Sequence, residues 1–209
     1  MEGWKPLGLT YVLYKEGSHF SQALALLTLS PLFAKFCLLG AFAASLRLEW
    51  IWALAGGLLV DVLCVLLKVL INEPRPAESY RTGPGMPSEH AAVAAFYALH
   101  LSLQARRKLR APGWLQQAIS VALGCWLALV AASRYHPRVH SATQLLAGAA
   151  LGGAMGLAWS WLPGPLRVPL AAAQRCLDAA GCDLGLALAA SDGSGAGAPR
   201  AAAKKPRAE

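Results

Sequence analysis

Charge is what this sequence has least of. Asp, Glu, Lys and Arg make up only 14% of its 209 residues, whereas about a quarter is usual for a soluble globule. With 56% apolar residues and a mean hydropathy of +0.43, the shortage excludes an ordinary water-soluble surface. Acidic residues are scarcer than basic ones, 11 against 19, for a net charge of +8. That excess does not imply a nucleic-acid partner. The cations sit in short loops and at the tail, where membrane topology accounts for them. The five cysteines, Cys37, Cys64, Cys125, Cys176 and Cys182, include no pair with zinc-finger spacing, and their odd number argues against a disulfide framework. Free thiols are expected. The first twenty residues lack a continuous apolar core, so no cleavable signal peptide is expected and the first span is expected to serve as the address. No internal repeat is present.

What the sequence does contain is long apolar runs. A membrane span needs about 20 mostly apolar residues. Five segments qualify, at 22–46, 50–71, 90–104, 114–132 and 143–162, the third being short. The fold class expected is all-α, a polytopic membrane helix bundle of about five transmembrane helices. Trp50, Trp52, Trp114, Trp159 and Trp161 fall near span ends, as interfacial anchors do. The basic loop with Arg106, Arg107, Lys108 and Arg110 is predicted to be cytoplasmic. The loops at 72–89 and 133–142 then face the opposite side together, as does the N-terminus. Residues 1–165 form the expected membrane domain. Segment 166–190 is apolar but interrupted by Pro169, Arg175, Asp178, Gly181 and Asp183, which predicts an interfacial helix rather than a sixth span. Residues 191–209 read as a disordered basic tail.

Three polar clusters gather on the predicted noncytoplasmic side: Lys68 and Arg75-Pro76 in KVLINEPRP, Pro87-Ser88-Glu89-His90, and Ser133-Arg134 with His140 in SRYHPRVH. These residue types suit phosphoryl transfer, whose transition state spreads charge over three equatorial oxygens. Lys68, Arg75 and Arg134 supply three cations, the arginines with planar bidentate forks. Ser88 stands where the third helix begins, so its hydroxyl and the neighbouring amides can meet an anion. Two histidines can divide the chemistry, one attacking phosphorus and the other protonating the leaving oxygen. Three cations neutralise a phosphate without a metal or cofactor, and none is expected. Lys68 and Arg75 are seven residues apart, about two helical turns; they share a face if the helix runs past Pro74. His136 is a rival nucleophile at the wrong spacing from Arg134, and His19 and His100 read as structural. Asp61 is too far along the helix from Lys68 to pair with it and is expected to bond a neighbouring helix; Lys35 is ambiguous. Glu73 and Glu78 read as solvated loop charges, and Glu89 is expected to point outward. Gly148, Gly152, Gly153 and Gly156 make a close-packing helix face.

In order and spacing the three clusters resemble the type 2 phosphatidic acid phosphatase superfamily. Its signature is Lys, six residues, Arg-Pro; then Pro-Ser-Gly-His; then Ser-Arg, five residues, His, three residues, Asp. Glu89 replaces the glycine and Gln144 the aspartate. The resemblance implies His140 as nucleophile and His90 as general acid. It also implies Lys68, Arg75, Ser88 and Arg134 as phosphate ligands supported by Ser133, and Gln144 orienting the His140 ring without supplying charge. The stretches LTYVLY, TLSP, GPGMPSEH and SRYHPRVHSATQ look like the branch that hydrolyses dolichyl diphosphate to dolichyl phosphate on the lumenal face of the endoplasmic reticulum membrane. On that resemblance the expected partners are a polyprenyl (dolichyl) diphosphate and the bilayer. A broader lipid phosphate phosphatase and a non-catalytic lipid-binding protein remain alternatives. Oligomeric state has no signal in the sequence.

Overall fold

The computed structural model describes residues 4–6, 12–162 and 171–180. A short antiparallel hairpin comes first, β1 (Trp4–Pro6) paired with β2 (Leu13–Lys15) in the register Trp4↔Lys15. The helices follow as α1 (His19–Leu27), α2 (Ser30–Ser45), α3 (Leu48–Ile71), α4 (Glu89–Lys108), α5 (Gly113–Tyr135) and α6 (Ala142–Trp161). A further helix, α7, spans 171–180. The all-α membrane bundle expected from the hydropathy is what the chain adopts, with the hairpin as an addition that no sequence pattern announced.

The first expected span is two helices, not one. Ser18 caps α1 by accepting from the Ser21 amide. Pro31 opens α2, where its missing N–H costs no helical bond. The break between them bends the axis by 44°, and the Thr28 hydroxyl there donates to Ser133 Oγ of α5 at 3.0 Å. By length and composition α3 and α5 can each cross a membrane, and the bent α1–α2 pair makes a third span if counted as one. The outward faces of α3 carry Leu58, Val62, Val65, Leu66, Val69 and Leu70, all exposed, which suits a lipid surround.

Helix α4 is enclosed instead. Every residue from Ala91 to Ala98 is buried, and α3, α5 and α6 pack around it. A helix sheltered by its neighbours need not be apolar enough to face lipid, and α4 is less apolar than α3 and α5. It also runs further than the third expected segment. Arg106, Arg107 and Lys108 form its last turn rather than a loop, where cations complement the helix dipole. There Arg107 donates to the Ser160 carbonyl at 2.7 Å and lies over the Trp161 ring, and Lys108 pairs with Glu49 at 2.7 Å.

Small residues set the closest contact in the bundle. Gly148, Gly152 and Gly156 line one stripe of α6 against α4. A Cβ on Gly152 would strike the Ala92 carbonyl, and one on Gly148 the Ser88 carbonyl. Gly153, on another face, would meet nothing within 4 Å. Lys35 of α2 and Asp61 of α3 form an ion pair within the bundle, which gives Asp61 the neighbouring-helix partner expected of it and settles the ambiguous Lys35. Trp52 and Trp159, expected as interfacial anchors, stack on each other with centroids 4.5 Å apart. His100 is structural, bonded to Ser160 Oγ at 2.8 Å. The cysteines among the described residues are free.

At the α2–α3 turn, Gln174 of α7 accepts from the Leu48 amide at 2.9 Å and donates to the Leu46 carbonyl at 3.1 Å. The rest of the expected interfacial segment and the expected basic tail lie outside the described residues.

Replacing Gly152 by Ala is expected to lower the thermal unfolding temperature of the detergent-solubilised protein, because overpacking costs about 1–3 kcal/mol. Gly153→Ala is expected to leave it unchanged or raise it slightly, since Ala is favoured over Gly within a helix by about 0.5–1 kcal/mol. Differential scanning fluorimetry on the adjacent pair distinguishes a contact stripe from a general intolerance of α6.

Candidate active site

Four chain segments meet at the end of the bundle opposite Arg107 and Lys108. Helix α3 stops at Ile71, with Asn72 left-handed at its C-cap. It therefore does not continue to Arg75, and Lys68 and Arg75 reach the site from a helix end and a loop separately. The loop after it is fixed by the Gly85 amide donating to the Glu73 carbonyl at 2.7 Å and by a bridge between Pro74 and Pro84. Its exit delivers Ser88, the N-cap of α4. The Ser88 amide donates to the Gln144 carbonyl at 3.0 Å, which joins the start of α4 to the start of α6. The α5–α6 connection closes the group, with the His140 amide donating to the Arg134 carbonyl at 3.3 Å.

His140 is 3% exposed. Its Nδ1 stands 3.1 Å from Gln144 Oε1 and its Nε2 3.2 Å from Arg75 Nη1. The tautomer follows from Gln144, which is 1% exposed. Its Nε2 donates to Glu73 Oε1 at 2.9 Å and to the Pro74 carbonyl at 2.8 Å. Both amide hydrogens are thus used, and Oε1 can only accept. The proton of His140 is therefore on Nδ1, and Nε2 presents a lone pair. The Ser141 amide also donates to Gln144 Oε1, at 3.3 Å, within a capping box that opens α6. Burial, then the Arg75 and Arg134 charges, push His140 down from 6.5 to about 3. The ring is neutral throughout the physiological range.

Arg134 is the largest fully buried side chain among the described residues, at 1% exposure. Among the described residues no ion pair includes Arg134 or Arg75. Tyr80 stands against the Arg134 guanidinium, and Arg75 Nη1 also donates to the Val139 carbonyl at 3.1 Å. Two guanidiniums held away from carboxylates are expensive to desolvate, and a bound anion relieves that cost. Ser88 has 0% exposure, and its hydroxyl has no hydrogen-bond partner among the described residues. His90, the second residue of α4, lies in the field of the Arg134, Arg81 and Lys68 cations. Burial and the Arg81 charge draw Arg75 below the ordinary guanidinium range, though it stays a cation.

Some sequence expectations change here. Glu89 does not point outward; its Oε2 lies 3.1 Å from Lys68 Nζ. Glu73 is no solvated loop charge but the partner of Gln144. Ser133 turns its hydroxyl to Val130 O and Thr28 rather than toward His140, so it secures the α5 end from which Arg134 projects. His136 is exposed, its ring 5.7 Å from that of Trp4 and 5.8 Å from that of Phe20. The Glu73 contact had one signal in the sequence, a carboxylate two residues before Arg75 in a chain with Gln144 where an acid is usual. Tyr80 had none. Among the described residues no group of three or more His, Cys, Asp and Glu could hold a metal ion; the side chains that converge here are cationic and suit an anion.

Residues 49–167 match the PAP2 superfamily. Over 167 residues the chain is 32% identical to human dolichyldiphosphatase 1, covering 75% of this chain and 70% of that one. It is 28% identical to lipid phosphate phosphatase gamma of Arabidopsis thaliana, over 79% of this chain and 76% of the other. Among solved structures, the transmembrane PAP2-type phosphatidylglycerolphosphate phosphatase of Bacillus subtilis superposes with a TM-score of 0.60 at 19% identity. That match covers 68% of this chain and 75% of the other and establishes a shared fold.

Because His140 is depressed to about 3 from 6.5, the unfolded chain takes up a proton below pH 6.5 that the folded chain refuses until about pH 3. Stability rises with pH wherever the unfolded state binds more protons, so it is expected to fall as pH drops through this window. Thermal unfolding of the wild type and of His140→Asn, followed from neutral to acidic pH, should show the shallower loss in the variant.

Proposed function

The chain belongs to the PAP2 superfamily, and from that membership we propose that it is a membrane lipid-pyrophosphate phosphatase. It hydrolyses dolichyl diphosphate to dolichyl phosphate and inorganic phosphate through a phosphohistidine intermediate. The observation that carries the reading is the neutral, buried His140, with its Nδ1 proton engaged by Gln144 and its Nε2 lone pair directed to Arg75.

In the first step His140 Nε2 attacks the terminal phosphorus and the P–O bond to dolichyl phosphate breaks. His90 takes up a proton as the anionic diphosphate enters beside it and gives that proton to the leaving oxygen. The imidazolium formed on His140 is stabilised through its Nδ1–H bond to Gln144. Arg75 exchanges its bond to Nε2 for the phosphoryl oxygens, which Arg134, Lys68 and the Ser88 hydroxyl also bind. In the second step water loses a proton to His90 and attacks phosphorus, the P–N bond breaks, and phosphate leaves with His140 neutral again. General acid–base catalysis of this kind is worth about 10²–10⁴-fold.

The dolichyl substrate is supported by the human relative. Positive residues favour the cytoplasmic side, so Arg106, Arg107 and Lys108 at the far end of α4 support a lumenal site at the endoplasmic reticulum membrane, where the product re-enters the carrier cycle of N-glycosylation. On this reading α7 lies along the cytoplasmic interface. The Arabidopsis relative, a lipid phosphate phosphatase by name, favours a second reading with a broader range of phosphate monoesters such as phosphatidate or a sphingoid phosphate.

A panel of dolichyl diphosphate, farnesyl diphosphate and phosphatidate, given to the purified protein in detergent, separates the two readings. The diphosphates are expected to be preferred; preference for phosphatidate would replace the first reading by the second. Labelling trapped by an alkaline or detergent quench, stable to base and lost in acid, is expected from terminally labelled substrate in the wild type and absent in His140→Ala, whose phosphate release should fall about a thousandfold or more. Release that survives the substitution would exclude the covalent mechanism.

A further inference from the structure

An acidic group usually holds the nucleophilic histidine in the signature this chain matches, and here the position is Gln144. A neutral amide fixes the tautomer but cannot balance the imidazolium that forms when His140 attacks. Gln144 does not end the chain of contacts, however. Its Nε2 donates to Glu73 Oε1 at 2.9 Å while its Oε1 faces His140 Nδ1 at 3.1 Å. Glu73 is not solvent-bathed: it is partly buried, and its carbonyl is tied to the Gly85 amide at 2.7 Å. Among the described residues no cation forms an ion pair with its carboxylate, so that charge is directed at the Gln144 amide.

Resting on the phosphohistidine reading, we propose that Glu73 is the positioning residue that supplies the missing negative charge, relayed to His140 through the amide of Gln144. The carboxylate polarises the amide, raising the electron density on Gln144 Oε1 as the Nδ1–H of His140 becomes more acidic. No proton need move along the relay; the bonds at Gln144 keep their donors and acceptors. Hydrogen bonds in series strengthen one another in a poorly solvated setting. The arrangement also explains why an acid does not fit at 144. A carboxylate there would set two negative groups against each other and would turn an oxygen toward the Pro74 carbonyl that now accepts from Gln144. A Cβ at residue 85 would meet the Gln144 side chain, so Gly85 leaves the room in which the amide lies.

The isosteric exchange tests this. Glu73→Gln removes the charge and keeps the shape, and kcat for dolichyl diphosphate is expected to fall about tenfold, the lower end of what loss of an outer hydrogen-bonded partner costs, with KM little changed. Gln144→Glu is expected to fall further, because its carboxylate faces Glu73. The double variant Glu73→Gln/Gln144→Glu returns one charge to the pair and should turn over faster than Gln144→Glu alone, with a higher rate of His140 labelling in rapid quench. Touching side chains couple whatever their role, so the readout that separates the relay from a structural role is a lower kcat and slower His140 labelling in Glu73→Gln at an unchanged unfolding temperature and KM. Wild-type kcat in Glu73→Gln, or a double variant no faster than Gln144→Glu, would overturn the relay. If Glu73→Gln does not fold by fluorimetry, the comparison of Gln144→Glu with the double variant decides alone. A wild-type protein that neither releases phosphate nor becomes labelled would instead defeat the phosphatase reading.

Discussion

Arg134 sets the terms for the rest of the site. A guanidinium with 1% exposure and no carboxylate partner among the described residues is a charge taken out of water, with the Tyr80 side chain against it as partial compensation. Such a group is tolerable only where the surroundings supply hydrogen bonds and a mobile anion completes the balance. Its neighbours follow from that condition. His140 is driven neutral by burial and by the arginines, which leaves the imidazole with a lone pair on Nε2 instead of another positive charge. Ser88 keeps an unused hydroxyl at the start of α4, and Lys68 is held by Glu89. On the proposed reading the pocket is a preformed anion cradle, organised before any phosphate arrives.

Holding those groups together falls to the α4–α6 contact. Backbone touches backbone there because glycines leave out the side chains that would separate the helices. The Ser88 amide reaches the Gln144 carbonyl across the same seam. Packing and chemistry therefore share one interface: the stripe that lets α6 approach α4 also sets how far the Ser88 hydroxyl stands from the His140 ring.

Much of this was legible in the sequence. Hydropathy located every long helix, and the order of Lys68, Arg75, His90, Arg134 and His140 pointed to one anion site at one end of the bundle. What escaped was whatever depends on side chains meeting across long sequence distances. Glu73 and Gln144 lie 71 residues apart, and no periodicity links a loop acid to the third residue of a helix. Glu89 looked misplaced because an anion beside a phosphate cradle is repulsive by itself; its bond to Lys68 appears only when α3 and α4 are side by side. The bend between α1 and α2 was missed for a different reason. Hydropathy averages over a window, and a local break at Thr28 with Pro31 behind it leaves the average unchanged.

The Lys35–Asp61 pair bears on the way the bundle comes together. Lys35 lies in α2, 26 residues ahead of its counter-ion in α3. As the chain emerges in order, α2 enters the apolar phase carrying an unanswered ammonium group, which is costly at that depth. Only the arrival of Asp61 neutralises it. The two helices are therefore better regarded as a single unit of insertion, in which the earlier member is a provisional guest of the membrane until the later one takes its place beside it.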